Sequence, residues 1–91
     1  MEKYIILSGL DGVEFYVAAD PIYVAVDTST IPDRILLTYV GKQIAVQGTA
    51  DMVQADADAI NAALADCWSQ PYTEPTISAT LSQVVTEVAP I

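Results

Sequence analysis

One change of rhythm constrains this chain more than any other feature. Side chains alternate with period two as far as residue 47, and from Gly48 the apolar residues recur at steps of three and four. Alternation puts neighbouring side chains on opposite faces of a strand, whereas steps of three and four gather them on one face of a helix. β-structure is therefore expected first and a helix after it.

Tyr4–Ser8 reads as a strand, and Gly9-Leu10-Asp11-Gly12 as a turn in which glycine is free to take positive φ. Val13–Val17 sets Val13, Phe15 and Val17 against Glu14 and Tyr16. Asp20-Pro21 interrupts the ladder, because proline has no N–H to donate. Ile22–Asp27 alternates again, Thr28–Asp33 has turn composition, Arg34–Val40 is a strand, and Gln43–Gln47 returns after the tight turn Gly41-Lys42. Short strands joined by short turns predict an antiparallel meander of about five strands.

Val53, Ala57, Ile60, Leu64 and Cys67 then form an apolar stripe along one helix face. Thr49 or Asp51 can cap its start, and Asp51 with Gln54 has capping-box spacing. No Lys or Arg supports the last turn, so the helix depends on packing against the sheet. Pro71 and Pro75 bracket a loop, Thr76–Ser82 alternates as a further strand, and Gln83–Val88 reads either as strand or as a short helical turn. The expected fold class is α+β, one domain over residues 1–91: the meander, one amphipathic helix on one sheet face, and a C-terminal strand or extended segment. Phe15, Val24, Val26, Leu36, Ile44, Val53, Ile60, Leu64 and Trp68 are expected to pack between sheet and helix.

Composition limits what such a domain can do. Three basic residues, Lys3, Arg34 and Lys42, face twelve acids for a net charge of −9. Nucleic-acid binding requires cations that neutralise phosphates, so none is expected. Charged residues make up 16% of the chain and hydrophobic ones 53%, against about 25% charged in soluble domains generally. Part of the surface is expected to be covered by a partner. Polar residues break every apolar run short of the roughly 20 residues a membrane span needs. Met1-Glu2-Lys3-Tyr4 lacks the charged and apolar regions of a signal peptide, so a soluble, cytoplasmic product is expected.

No residue pattern specifies catalysis. The chain has no histidine, so neither Cys67 nor any serine has an imidazole to activate it, and Cys67 is expected to be a buried apolar filler. Asp56 and Asp58 point about 200° apart on a helix and cannot share a metal. Asp51 and Asp58 are two turns apart, and Asp11, Glu14, Asp20 and Asp27 fall at turns and strand ends. No calcium-loop spacing occurs, and Gly9 and Gly12 are too sparse for a phosphate loop. No cofactor and no metal site is expected. Carboxylates that meet only in space would give the alternative, a small metal- or ligand-binding accessory enzyme. Tyr4, Tyr16, Tyr23 and Tyr39 all fall on β-segments. They are the candidate interface residues, since tyrosine joins a large apolar area to a polar tip, and ordinary strand propensity accounts for them equally well.

The helix Ala-Ile-Asn-Ala-Ala-Leu-Ala-Asp-Cys-Trp (59–68), followed by a polar loop and Thr-Leu-Ser-Gln-Val-Val-Thr-Glu-Val (80–88), resembles the end of small uncharacterised proteins of marine tailed phages, cyanophages especially. Its specific part is Ile60, Leu64, Trp68 and the stretch 81–88, and Cys67 before Trp68 departs from the pattern. The resemblance implies a virion-associated or accessory role and no catalytic residues. The meander followed by a helix also resembles LytTR-like sheets, which bind DNA, and the charge here argues against that use. The expectation is a non-catalytic structural or protein-interaction protein that forms a homo-oligomer, with a virion protein as a further partner.

Overall fold

The computed structural model describes residues 3–69 and 76–91. In chain order the elements are β1 (Tyr4–Ser8), a 3₁₀ turn (Leu10–Gly12), β2 (Glu14–Ala18), β3 (Tyr23–Asp27), β4 (Arg34–Tyr39), β5 (Lys42–Gly48), α1 (Gln54–Ser69), β6 (Thr76–Ala79) and β7 (Val85–Pro90). The fold is α+β: one helix packed against two mostly antiparallel sheets, with a strand at the C-terminus. The second reading of Gln83–Val88 gives way to strand. The loop expected between Pro71 and Pro75 lies outside the described residues.

The five leading strands do not form one continuous meander. β2-β1-β6 is one sheet and β3-β4-β5-β7 the other. β1 and β2 form an antiparallel hairpin, but β6 joins β1 in parallel, and β7 returns antiparallel to β5. Among the described residues, a single Gly9–Val85 bridge connects the sheets. Parallel neighbours need a long crossover, and α1 supplies it by carrying the chain from β5 to β6. It packs against β6, β3 and β1, and so against both sheets rather than one face.

Register divides the side chains. Ile5, Val17 and Ile77 stand abreast, as do Leu7, Phe15 and Ala79. In the second sheet Val24, Leu37 and Ile44 share a row, and Val26, Ile35 and Val46 share another. These rows meet Ala57, Ile60, Ala63 and Cys67 of α1 in one core. Ile5, Leu7, Ile35, Leu37 and Val46 are fully buried, each contributing about 1.5–3 kcal/mol relative to exposure.

Three of the expected core residues lie elsewhere. Leu36 points to the opposite face of β4 from Ile35 and Leu37 and is outside the core cluster. The run Ile35-Leu36-Leu37 is apolar on both faces, so alternation there carries no phase. Val53 precedes the helix and is exposed. Trp68 is 54% exposed at the far end of α1. Val13 and Ile22 also fall outside the strands and are exposed. Phe15, Val26, Ile44 and Leu64 are partly buried against the core, and Val24 and Ile60 lie within it.

The helix start also departs from the expected cap. The Asp51 carboxylate accepts the Asp33 N–H at 2.8 Å instead of capping α1. The capping is done from inside the helix, where the Asp56 carboxylate reaches back to the Val53 N–H at 2.9 Å. Asp56 is 1% exposed, an environment that would be costly for an unpaired carboxylate. It also accepts the Ser82 N–H at 2.6 Å and the Ser82 hydroxyl at 2.8 Å. Burial pushes this carboxyl up, but the hydrogen bonds from Ser82 and Val53 outweigh it and hold it below the ordinary 3.8.

Candidate functional site

The two sheets part at one end and leave a cleft of about 490 Å³. Tyr4, Tyr16, Val17 and Ala18 of β1 and β2 line one side. Tyr39, Lys42, Ile44 and Val88 of the four-stranded sheet line the other, with Lys3, Asp20 and Trp68 completing the wall. Register pairs Tyr4 with Ala18 in one sheet and Tyr39 with Lys42 in the other, and all four line the cleft.

Backbone carbonyls at the end of β2 take up the polar tips of the aromatic rings. The Tyr39 hydroxyl donates to the Ala18 carbonyl at 2.7 Å, and the Trp68 indole N–H donates to the next carbonyl, Ala19. Burial, with Asp20 nearby, pushes the Tyr39 phenol up to about 12, so it keeps its proton throughout the neutral range. The Lys3 ammonium donates to the Cys67 carbonyl at 2.6 Å and stands 5.5 Å from the Trp68 ring centroid. The Lys42 ammonium stands at the same distance from the Tyr39 ring. Both are cation–π separations.

Of the candidate interface tyrosines, Tyr4, Tyr16 and Tyr39 therefore border this cleft, while Tyr23 lies on the other sheet edge, in β3. Tyr16 and Tyr23 are 55% and 66% exposed, and Tyr39 is buried. The lysines and Trp68 were not legible as a site because they are 26 to 65 positions apart along the chain. The convergence of two of the chain's three basic residues on one cleft appears only in the fold. The third, Arg34, pairs with Asp27 at 2.8 Å. Hydrogen bonds from Ser29 and Arg34 lower the Asp27 carboxyl to about 2.

Cys67 is fully buried, with its thiol 4.0 Å from the Tyr4 carbonyl. Among the described residues, no three His, Cys, Asp or Glu side chains group in a way that could hold a metal ion. Nor is any described helix long and apolar enough to cross a membrane. The cleft presents aromatic walls and ammonium groups, an arrangement suited to binding.

Compared with protein-family models, curated proteins and solved structures, the chain matches none.

Proposed function

We propose that this is a non-catalytic interaction protein that self-associates through the outer face of its four-stranded sheet. The observation that carries the reading is a row of register partners, Ala25, Leu36, Ala45 and Ala89, on the face opposite the core rows. Ala25, Leu36 and Ala89 lie outside the core cluster and are partly exposed, with Ala45 buried between them. Tyr23, Thr38 and Gln43 form the next row, and Tyr23 is 66% exposed. Ile22 and Val40, at the same end, are exposed by 68% and 87%. One helix covers only one face of a sheet, and a partly apolar face of this kind favours packing against another sheet.

The occupant is a second copy. Each chain carries a net charge of −9, and most faces would repel their like. Along this one, the charges are confined to the far end, where Glu87 beside Gln47 accompanies the mutually neutralising Asp27–Arg34 pair. A two-fold axis through the row would bring apolar residues together and keep most carboxylates apart. The resemblance of residues 59–68 and 80–88 to small phage proteins supports a virion or accessory setting. Flanking capsid or tail genes would agree with that setting, and flanking metabolic genes would remove it.

Light scattering at tens of micromolar tests the association. A mass at least twice the 9.7 kDa of one chain is expected, and a monomer mass overturns the reading. Tyr23→Asp should return the mass to one chain, since it places an uncompensated charge in the contact. An unchanged mass in that variant removes this face as the interface.

A further inference from the structure

The cleft lies on the inner face of the four-stranded sheet, opposite the proposed contact, and its chemistry is separate. Its volume of about 490 Å³ falls within the roughly 300–1,000 Å³ of small-molecule sites. Tyr39 and Trp68 give their polar atoms to the Ala18 and Ala19 carbonyls. The rings are thus left to offer carbon surface, and any polar recognition falls to charged groups. The lysine ammoniums already stand over the Trp68 and Tyr39 rings, so the cation–π positions are filled from within the chain. Lys3 is committed to the Cys67 carbonyl. Lys42 is exposed at the mouth, and among the described residues it makes no ion pair. Asp20 is the one acid among the described lining residues.

We propose that this cleft binds a small organic anion with a flat apolar body, the body lying between the exposed rings of Tyr16 and Trp68 and a carboxylate meeting the Lys42 ammonium. The Tyr39 ring keeps Lys42 over the cleft. In a protein of net charge −9, a binding preference for an anion must come from such a local concentration of positive charge.

The sole tryptophan is Trp68, so its indole N–H resonance reports on the cleft without ambiguity. Benzoate, benzamide and benzamidine share a ring and differ in charge. Titration of the full chain with each, followed by ¹H–¹⁵N correlation spectra, should show saturable displacement of the Trp68 indole signal by benzoate. Benzamide should bind more weakly and benzamidine weakest. Lys42→Gln, which leaves the exposed hairpin intact, should weaken benzoate by roughly fivefold or more with an unchanged melting midpoint. Benzamidine binding as tightly as benzoate overturns the proposal. So does an unchanged benzoate affinity in Lys42→Gln, or the absence of saturable displacement by any of the three. Light scattering of the same samples keeps this result apart from that for self-association.

Discussion

Asp56 and Ser82, 26 residues apart in sequence, are joined by two hydrogen bonds to one carboxylate, from the Ser82 N–H at 2.6 Å and its hydroxyl at 2.8 Å. The same carboxylate holds the Val53 N–H. One side chain therefore starts the helix and anchors to it the connection between β6 and β7. Asp56→Ala would leave two backbone N–H groups without their acceptor, and should cost about 2–4 kcal/mol in urea denaturation. Ser82→Ala keeps its N–H and should cost nearer 1 kcal/mol. Equal losses in the two variants would show that the hydroxyl, not the carboxylate, organises the junction.

Acid should unfold the protein through carboxylates whose folded pKa lies below the unfolded one. Asp56 and Asp27 are both lowered from 3.8, Asp27 to about 2. Their contribution is complete above the unfolded value and is lost as pH falls through the folded values. Urea midpoints should be level above about pH 5 and fall from near pH 4 toward pH 2. Asp56→Asn should flatten part of that decline. A midpoint that rises on acidification would contradict both assignments.

Gly48 sits where the register shifts between β5 and β7. A Cβ there would lie 2.8 Å from Gln83 Cβ and 3.1 Å from the Val84 carbonyl oxygen. Neither is a flexible chain end, so Gly48→Ala should cost about 1–3 kcal/mol through overpacking. Gly41, at φ +80° in the β4–β5 turn, has open space around the same position. Its replacement by Ala should strain the backbone alone, and Gly41→Asn should recover part of the loss. Thermal midpoints of the three variants separate the two causes.

Within α1, Ile60 is 1% exposed and Leu64 only partly buried. Ile60→Ala should cost about 2–5 kcal/mol. Leu64→Ala should cost less, because less surface leaves water on folding. A larger loss at Leu64, measured by chemical denaturation, would mean that the helix is rotated from the orientation described.

Cys67 is fully enclosed, so its reaction with a thiol reagent should follow opening of the fold rather than direct encounter. Labelling of the native protein is expected to be orders of magnitude slower than in denaturant. Equal rates would place the thiol at the surface.

The strand-then-helix order, the span of most strands and the placing of Ile60 and Cys67 in the core were readable from the chain, because periodicity is a local signal. Phase was not readable where a strand is apolar on both sides: Ile35-Leu36-Leu37 looks the same in either orientation, and only pairing with Val46, Ala45 and Ile44 decides it. The same holds for pairing itself. β6 next to β1 and β7 next to β5 satisfy backbone groups that any strand presents, so the choice rests on which arrangement buries the helix stripe against both sheets. Asp56 gave no sign of its role, since its partner Ser82 is brought to it by the long-range path of the chain. The cleft is the furthest from local information. Lys3, the Tyr39–Lys42 hairpin and Trp68 come from three separate parts of the sequence, and they become neighbours only because the two sheets close on one core and part at one end.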